Sequence, residues 1–96
     1  MELIWSDLAK SDFEDNIDYL LREWSERSAV EFINKVDHLI ELLSINPQLF
    51  PESDYKSVRR AVVTKQITLF YKLSDSKIYL IRFWNTYQNP AFFRLK

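Results

Sequence analysis

Ninety-six residues, 47% hydrophobic and 16% aromatic, suffice for one domain with its own core, and the chain reads as a single domain over 1–96. The lack of cysteine excludes disulfides and thiolate metal sites, one histidine argues against a histidine metal site, and the lack of glycine excludes glycine-built phosphate loops, so neither metal nor cofactor is expected. The net charge of −1 conceals two opposed parts: four basic residues against thirteen acids over 1–54, or −9, and nine basic residues against the lone Asp75 over 55–96, or +8. The basic part calls for an anionic partner. No run approaches the ~18 apolar residues of a membrane span and no signal peptide opens the chain, so a cytoplasmic protein is expected, with no membrane partner.

In chain order, Met1 to Trp5 reads as a short opening strand. A helix follows, starting either at Asp7 or at Asp12, where Ser11-Asp12-Phe13-Glu14 fits a capping box. Phe13, Ile17, Leu20, Leu21 and Trp24 keep helical spacing and form its apolar stripe. Ser25 is the expected cap of a second helix, whose stripe is Ala29, Phe32, Ile33, Val36, Leu39, Ile40 and Leu43. Pro47 should end that helix near residues 44–46. The short link makes the two helices a hairpin. His38 sits beside the second stripe and reads as a solvated residue.

The loop from Pro47 to Asp54 should tuck Leu49 and Phe50 against the helices. Three β-rich runs follow, Val58 to Val63, Ile67 to Leu73 and Ile78 to Trp84, and their short links allow only antiparallel neighbours. Ile67, Leu69, Tyr71 and Leu73 should face the helices. The last run is apolar on both faces, which suits a central strand. Its exception is Arg82, which needs a partner if buried. The tail Ala91 to Lys96 is expected to pack through Phe92 and Phe93.

Among the basic residues, Arg59 and Arg60 are adjacent on a strand and point to opposite faces. Arg60 suits pairing with helical acids as well as it suits a partner. Lys65 and Lys77 fall in turns, where lysine is ordinarily solvated, and Lys72 suits blunting a sheet edge. Phe83 and Trp84 read as core. Tyr55, Phe70, Tyr79 and Tyr87 lie among the basic residues as stacking platforms do, which keeps open a plain nucleic-acid-binding domain.

Together these parts give an α+β fold: an N-terminal strand, a two-helix hairpin and a three-stranded antiparallel meander. That order carries Asp18-Tyr19-Leu20 before Trp24-Ser25, then Asn46-Pro47, Val58-Arg59-Arg60, Ile67 to Tyr71, and Phe83-Trp84 before Gln88-Asn89-Pro90. In this it resembles the RelE/ParE superfamily of bacterial type II toxins over almost the whole chain. The resemblance implies a growth-inhibiting toxin, associated with plasmid stabilisation and neutralised by a cognate antitoxin. RelE-like members cleave messenger RNA on the ribosome without a metal; ParE-like members inhibit DNA gyrase.

Metal-free ribonuclease chemistry needs a base for the 2′-hydroxyl, an acid for the leaving oxygen and cations for the phosphorane charge. The five positions that the resemblance would assign to these tasks fall on Arg59, Ala61, Thr68, Tyr87 and Phe93, and only Arg59 keeps its chemistry. Phe93 has no proton to give. ParE-like inhibitory binding through a basic sheet face is therefore preferred, with Arg59, Arg60, Lys65, Arg82 and Tyr87 as contacts. Arg59, Lys65, Arg82 and Tyr87 remain the catalytic candidates of the RelE-like alternative.

Overall fold

A computed structural model describes residues 1–87 of the chain. β1 (Glu2–Trp5) leads directly into α1 (Asp7–Glu23), which is followed by α2 (Glu26–Ile45), β2 (Val58–Val62), β3 (Ile67–Ser74) and β4 (Lys77–Asn85). The four strands form one sheet in the order β1-β4-β3-β2. β1 runs parallel to β4, and β2, β3 and β4 form the expected antiparallel meander. β4 is thus central, as its two apolar faces require. The helical hairpin lies on one face, where Phe32, Val36, Leu39 and Leu43 meet Ile67, Leu69, Tyr71, Ile78, Leu80 and Phe83.

α1 starts at the earlier of its two possible positions. The Ser6 hydroxyl accepts from Ala9 N at 3.0 Å and donates to Ile81 O at 2.9 Å, while Ser6 N donates to Leu80 O. The cap is thereby tied to β4, and Ser11 to Glu14 lie inside the helix instead of starting it. The α1 stripe is also narrower than its spacing suggests. Leu20 is buried, but Leu21 is 50% exposed and Trp24 56%. Trp24 is the C-cap and has left helical geometry, so helical periodicity no longer directs its side chain.

Ser25 caps α2 by accepting from Ser28 N, and every residue of the second stripe is buried or half-buried. His38 is exposed, as expected. Phe50 packs against the core while Leu49 stays 49% exposed. β3 and β4 are joined through Asp75 and Ser76, both at positive φ (52° and 62°), the twist that a two-residue hairpin turn requires. The expected tail contacts of Phe92 and Phe93 lie outside the described residues.

Tyr71 is fully buried and donates its hydroxyl to Pro47 O at 3.0 Å, which ties β3 to the end of α2. Burial raises its pKa above the ordinary 10.0, outweighing the nearby Arg59 charge that lowers it. A raised folded-state pKa gives stability that is complete below the unfolded value and lost as pH rises through the folded one. Stability should therefore fall on the alkaline side of about pH 10. Tyr71→Phe should flatten that alkaline limb in denaturant titrations, at a cost near neutrality of about 1 kcal/mol for the lost hydrogen bond.

Candidate target-binding surface

The five residues expected at the site do not converge. Arg59 pairs in register with Tyr71 and so faces the helix side. Its guanidinium donates to Phe50 O at 2.6 Å and more distantly to Gln48 O at 3.5 Å, pinning the loop after α2. It is therefore Arg59, not Arg60, that faces the helices, and its partners are backbone carbonyls. Arg60 stands opposite Phe70 on the outer face of the sheet and is exposed. It lines a depression of about 490 Å³ with Glu52, Ser53, Asp54, Tyr55 and Phe70.

Arg82 has the partner that its apolar strand requires. Nε and a terminal nitrogen donate to the two carboxylate oxygens of Asp12 at 2.7 and 2.9 Å. Its guanidinium also lies 5.3 Å from the centre of the Trp84 ring. The Asp12 hydrogen bond raises the Arg82 pKa above its ordinary value against the cost of burial. A charge held this way is unavailable to a partner unless the pair opens.

Lys65 and Tyr87 share one cleft, of about 420 Å³, with Trp24, Ser28, Lys35 and Thr64, above a floor that includes Leu20 and Phe32. Lys65 is exposed in the β2–β3 turn, and Tyr87 is 58% exposed just after β4. In the sequence Trp24 falls on the apolar stripe of α1, and Lys35 carries no signal beyond its charge.

Among the described residues no helix covers the outer sheet face. Phe70, Tyr79, Ile81 and Trp84 are half-buried there, and Lys72 holds its ammonium 6.0 Å from the Tyr79 ring centre. Lys72 is not an edge charge, because β3 lies between β2 and β4. Trp84 is thus on the outer face, while Phe83 is core. Among the described residues no three His, Asp or Glu side chains cluster to hold a metal, and no helix is long and apolar enough to cross a membrane.

The sequence also concealed the polar group behind Arg82. Asp12 accepts from Phe83 N at 3.0 Å, and Asn16 donates to Phe83 O at 3.2 Å. Asn85 donates to Asn16 Oδ1 at 2.9 Å. Asp12 and Asn16 are one helical turn apart, so they share a face. That spacing was the available signal, but with thirteen acids in the first half nothing singled out Asp12.

Comparison with known proteins agrees with this architecture. The family model described as the ParE toxin of type II toxin–antitoxin systems, parDE, matches residues 3–90. Among solved structures, the fold is similar to a chain of the chromosomal ParDE system from P. aeruginosa, with a TM-score of 0.74 and 15% identity over 88% of this chain and 95% of that chain. It is also similar to the YoeB/ParE toxin from Agrobacterium tumefaciens (TM-score 0.66, 17% identity, 88% and 98% covered). The E. coli DinJ-YafQ complex supplies a third likeness (TM-score 0.60, 21% identity, 91% and 94% covered). At these identities the structural likeness is one of fold. No curated protein matches the chain. The family match over 3–90, on a strand, a helical hairpin and an antiparallel meander, shows that the chain belongs to the ParE toxin family of type II toxin–antitoxin systems.

Proposed function

We propose that this toxin acts by inhibitory binding to DNA gyrase, and that a cognate antitoxin neutralises it by covering basic and apolar surface together. The observation that supports binding over catalysis is the division of the five candidate residues. Arg59 and Arg82 are held by internal partners, Arg60 lies on the outer face, and Lys65 and Tyr87 share a separate cleft. General acid–base catalysis needs its groups within hydrogen-bond reach of one reacting centre. Binding does not, since a protein interface spreads over ~800 Å² per partner. Arg60, Lys65 and Tyr87 are then the direct contacts, and Arg59 and Arg82 hold the frame behind them.

The +8 charge of residues 55–96 favours an acidic antitoxin segment, and such segments fold on the surface they cover. Inhibition of gyrase places the action of the toxin in the cytoplasm. Two assays on purified protein test the proposal: gyrase supercoiling, and messenger RNA cleavage in a translating ribosome mixture. Supercoiling inhibition should persist in Tyr87→Phe and weaken in Arg60→Ala by about 0.5–1 kcal/mol, the scale of an exposed charge pair. Cleavage that disappears in Tyr87→Phe would instead establish the ribosome-dependent endonuclease, a reading favoured only by the presence of Lys65 and Tyr87 in one cleft.

A further inference from the structure

We infer that Asn16 and Asn85 are positioning residues that set where Tyr87 stands in its cleft, with Asp12 as their support. The part of the inference that concerns target binding rests on the proposal that Tyr87 is a direct contact. β1 pairs with β4 only as far as Leu80. Beyond that point, among the described residues, no strand neighbours the edge of β4 facing α1, yet a backbone polar group buried without a partner is costly. Side chains take the place of the strand. The Ser6 hydroxyl donates to Ile81 O, Asp12 accepts from Phe83 N, and Asn16 donates to Phe83 O.

The chain of bonds then turns outward. Asn16 uses its Nδ2 on both Asp12 O and Phe83 O, so its Oδ1 is left to accept from Asn85 Nδ2. That fixes the orientation of the Asn85 amide. Asn85 Oδ1 then accepts from Tyr87 N at 2.9 Å. Asn16 and Asn85 are each only 2% exposed. Amides this deeply buried are tolerated only with partners, and a connected network of them favours one geometry over its alternatives. Here that geometry is the exit of the chain from β4, two residues from the ring that lines the cleft with Lys65 and Trp24.

The test has one readout that involves no target and one that does. Asn16→Ala should accelerate hydrogen exchange of the Tyr87 amide by about tenfold, the effect of freeing one ordinary hydrogen bond. The amides of Leu69 and Tyr71 should keep their protection. Asn85→Ala removes the Tyr87 acceptor directly and, although Asn16 Oδ1 loses its donor, keeps the Asn16 bonds to Asp12 O and Phe83 O, so it should give the same result if Asn16→Ala folds poorly. Unchanged Tyr87 exchange in Asn85→Ala, or equal acceleration at all three amides, would overturn the inference. In gyrase inhibition, Asn16→Ala should raise the half-inhibitory concentration in the otherwise unaltered chain and have no effect in a Tyr87→Ala background. Equal losses in both backgrounds would mean that Asn16 supports the fold alone, and would overturn the link to binding. Failure of the unaltered chain to inhibit gyrase would overturn the target reading, while the exchange result would still decide the positioning.

Discussion

Phe32→Ala is expected to cost ~3–5 kcal/mol of folding stability, the range for removing a fully enclosed aromatic ring. Phe32 has no exposed surface. Its ring centre lies 5.6 Å from that of Phe13 and 6.4 Å from that of Phe83, the latter nearly perpendicular at 83°. The substitution therefore removes apolar burial and two aromatic contacts between α1, α2 and β4. Domains of this size have ~5–15 kcal/mol in total, so the loss is a large fraction of it. Chemical denaturation should show a lower midpoint with an unchanged slope, and thermal unfolding a fall of at least about 12 °C. Val30, half-exposed on the same helix, is the control: Val30→Ala should stay within about 0.5 kcal/mol. Similar results at the two positions would show that the core does not lie between α2 and the sheet.

Asp12→Ala comes second, at about 3 kcal/mol, near the lower end for breaking a buried ion pair because both side chains keep some exposure (19% for Arg82 and 12% for Asp12). Two groups lose their acceptor at once, the Arg82 guanidinium and Phe83 N. Removing both charges together should hurt less. Asp12→Ala with Arg82→Met should recover part of the loss, since an uncompensated charge costs more than an absent pair. A double-mutant cycle by urea denaturation measures this, and strictly additive losses would show that the pair is not coupled. The raised pKa of Arg82 keeps its side of the pair charged through the range in which Tyr71 titrates.

Much of the architecture followed from local chemistry in the sequence. The second helix was legible because its stripe is unbroken, Ser25 offers a cap and Pro47 an end. The meander was legible because β-branched and aromatic runs are separated by links too short for a parallel crossover. The centrality of β4 followed from its two apolar faces. The family resemblance came from the order of these parts, and the match over residues 3–90 bears it out.

The tertiary structure decided what local chemistry left balanced. Ser6 and Ser11 were both acceptable helix starts, and Ser6 prevailed because its backbone and hydroxyl also bond β4, far away in the chain. Arg59 and Arg60 had to face opposite ways, but a period of two does not say which way is in. That parity was set by the register, which places Arg59 beside the buried Tyr71 and Arg60 beside Phe70. Arg82 plainly needed a carboxylate, yet Asp12 is 70 residues distant and is one of fourteen acids in the chain. Only the early end of β1, which leaves the second half of β4 to the side chains of α1, selects it. Pairing across such distances depends on where strands stop and helices dock, which is why the surface residues of this toxin were visible in the sequence and their division among separate faces was not.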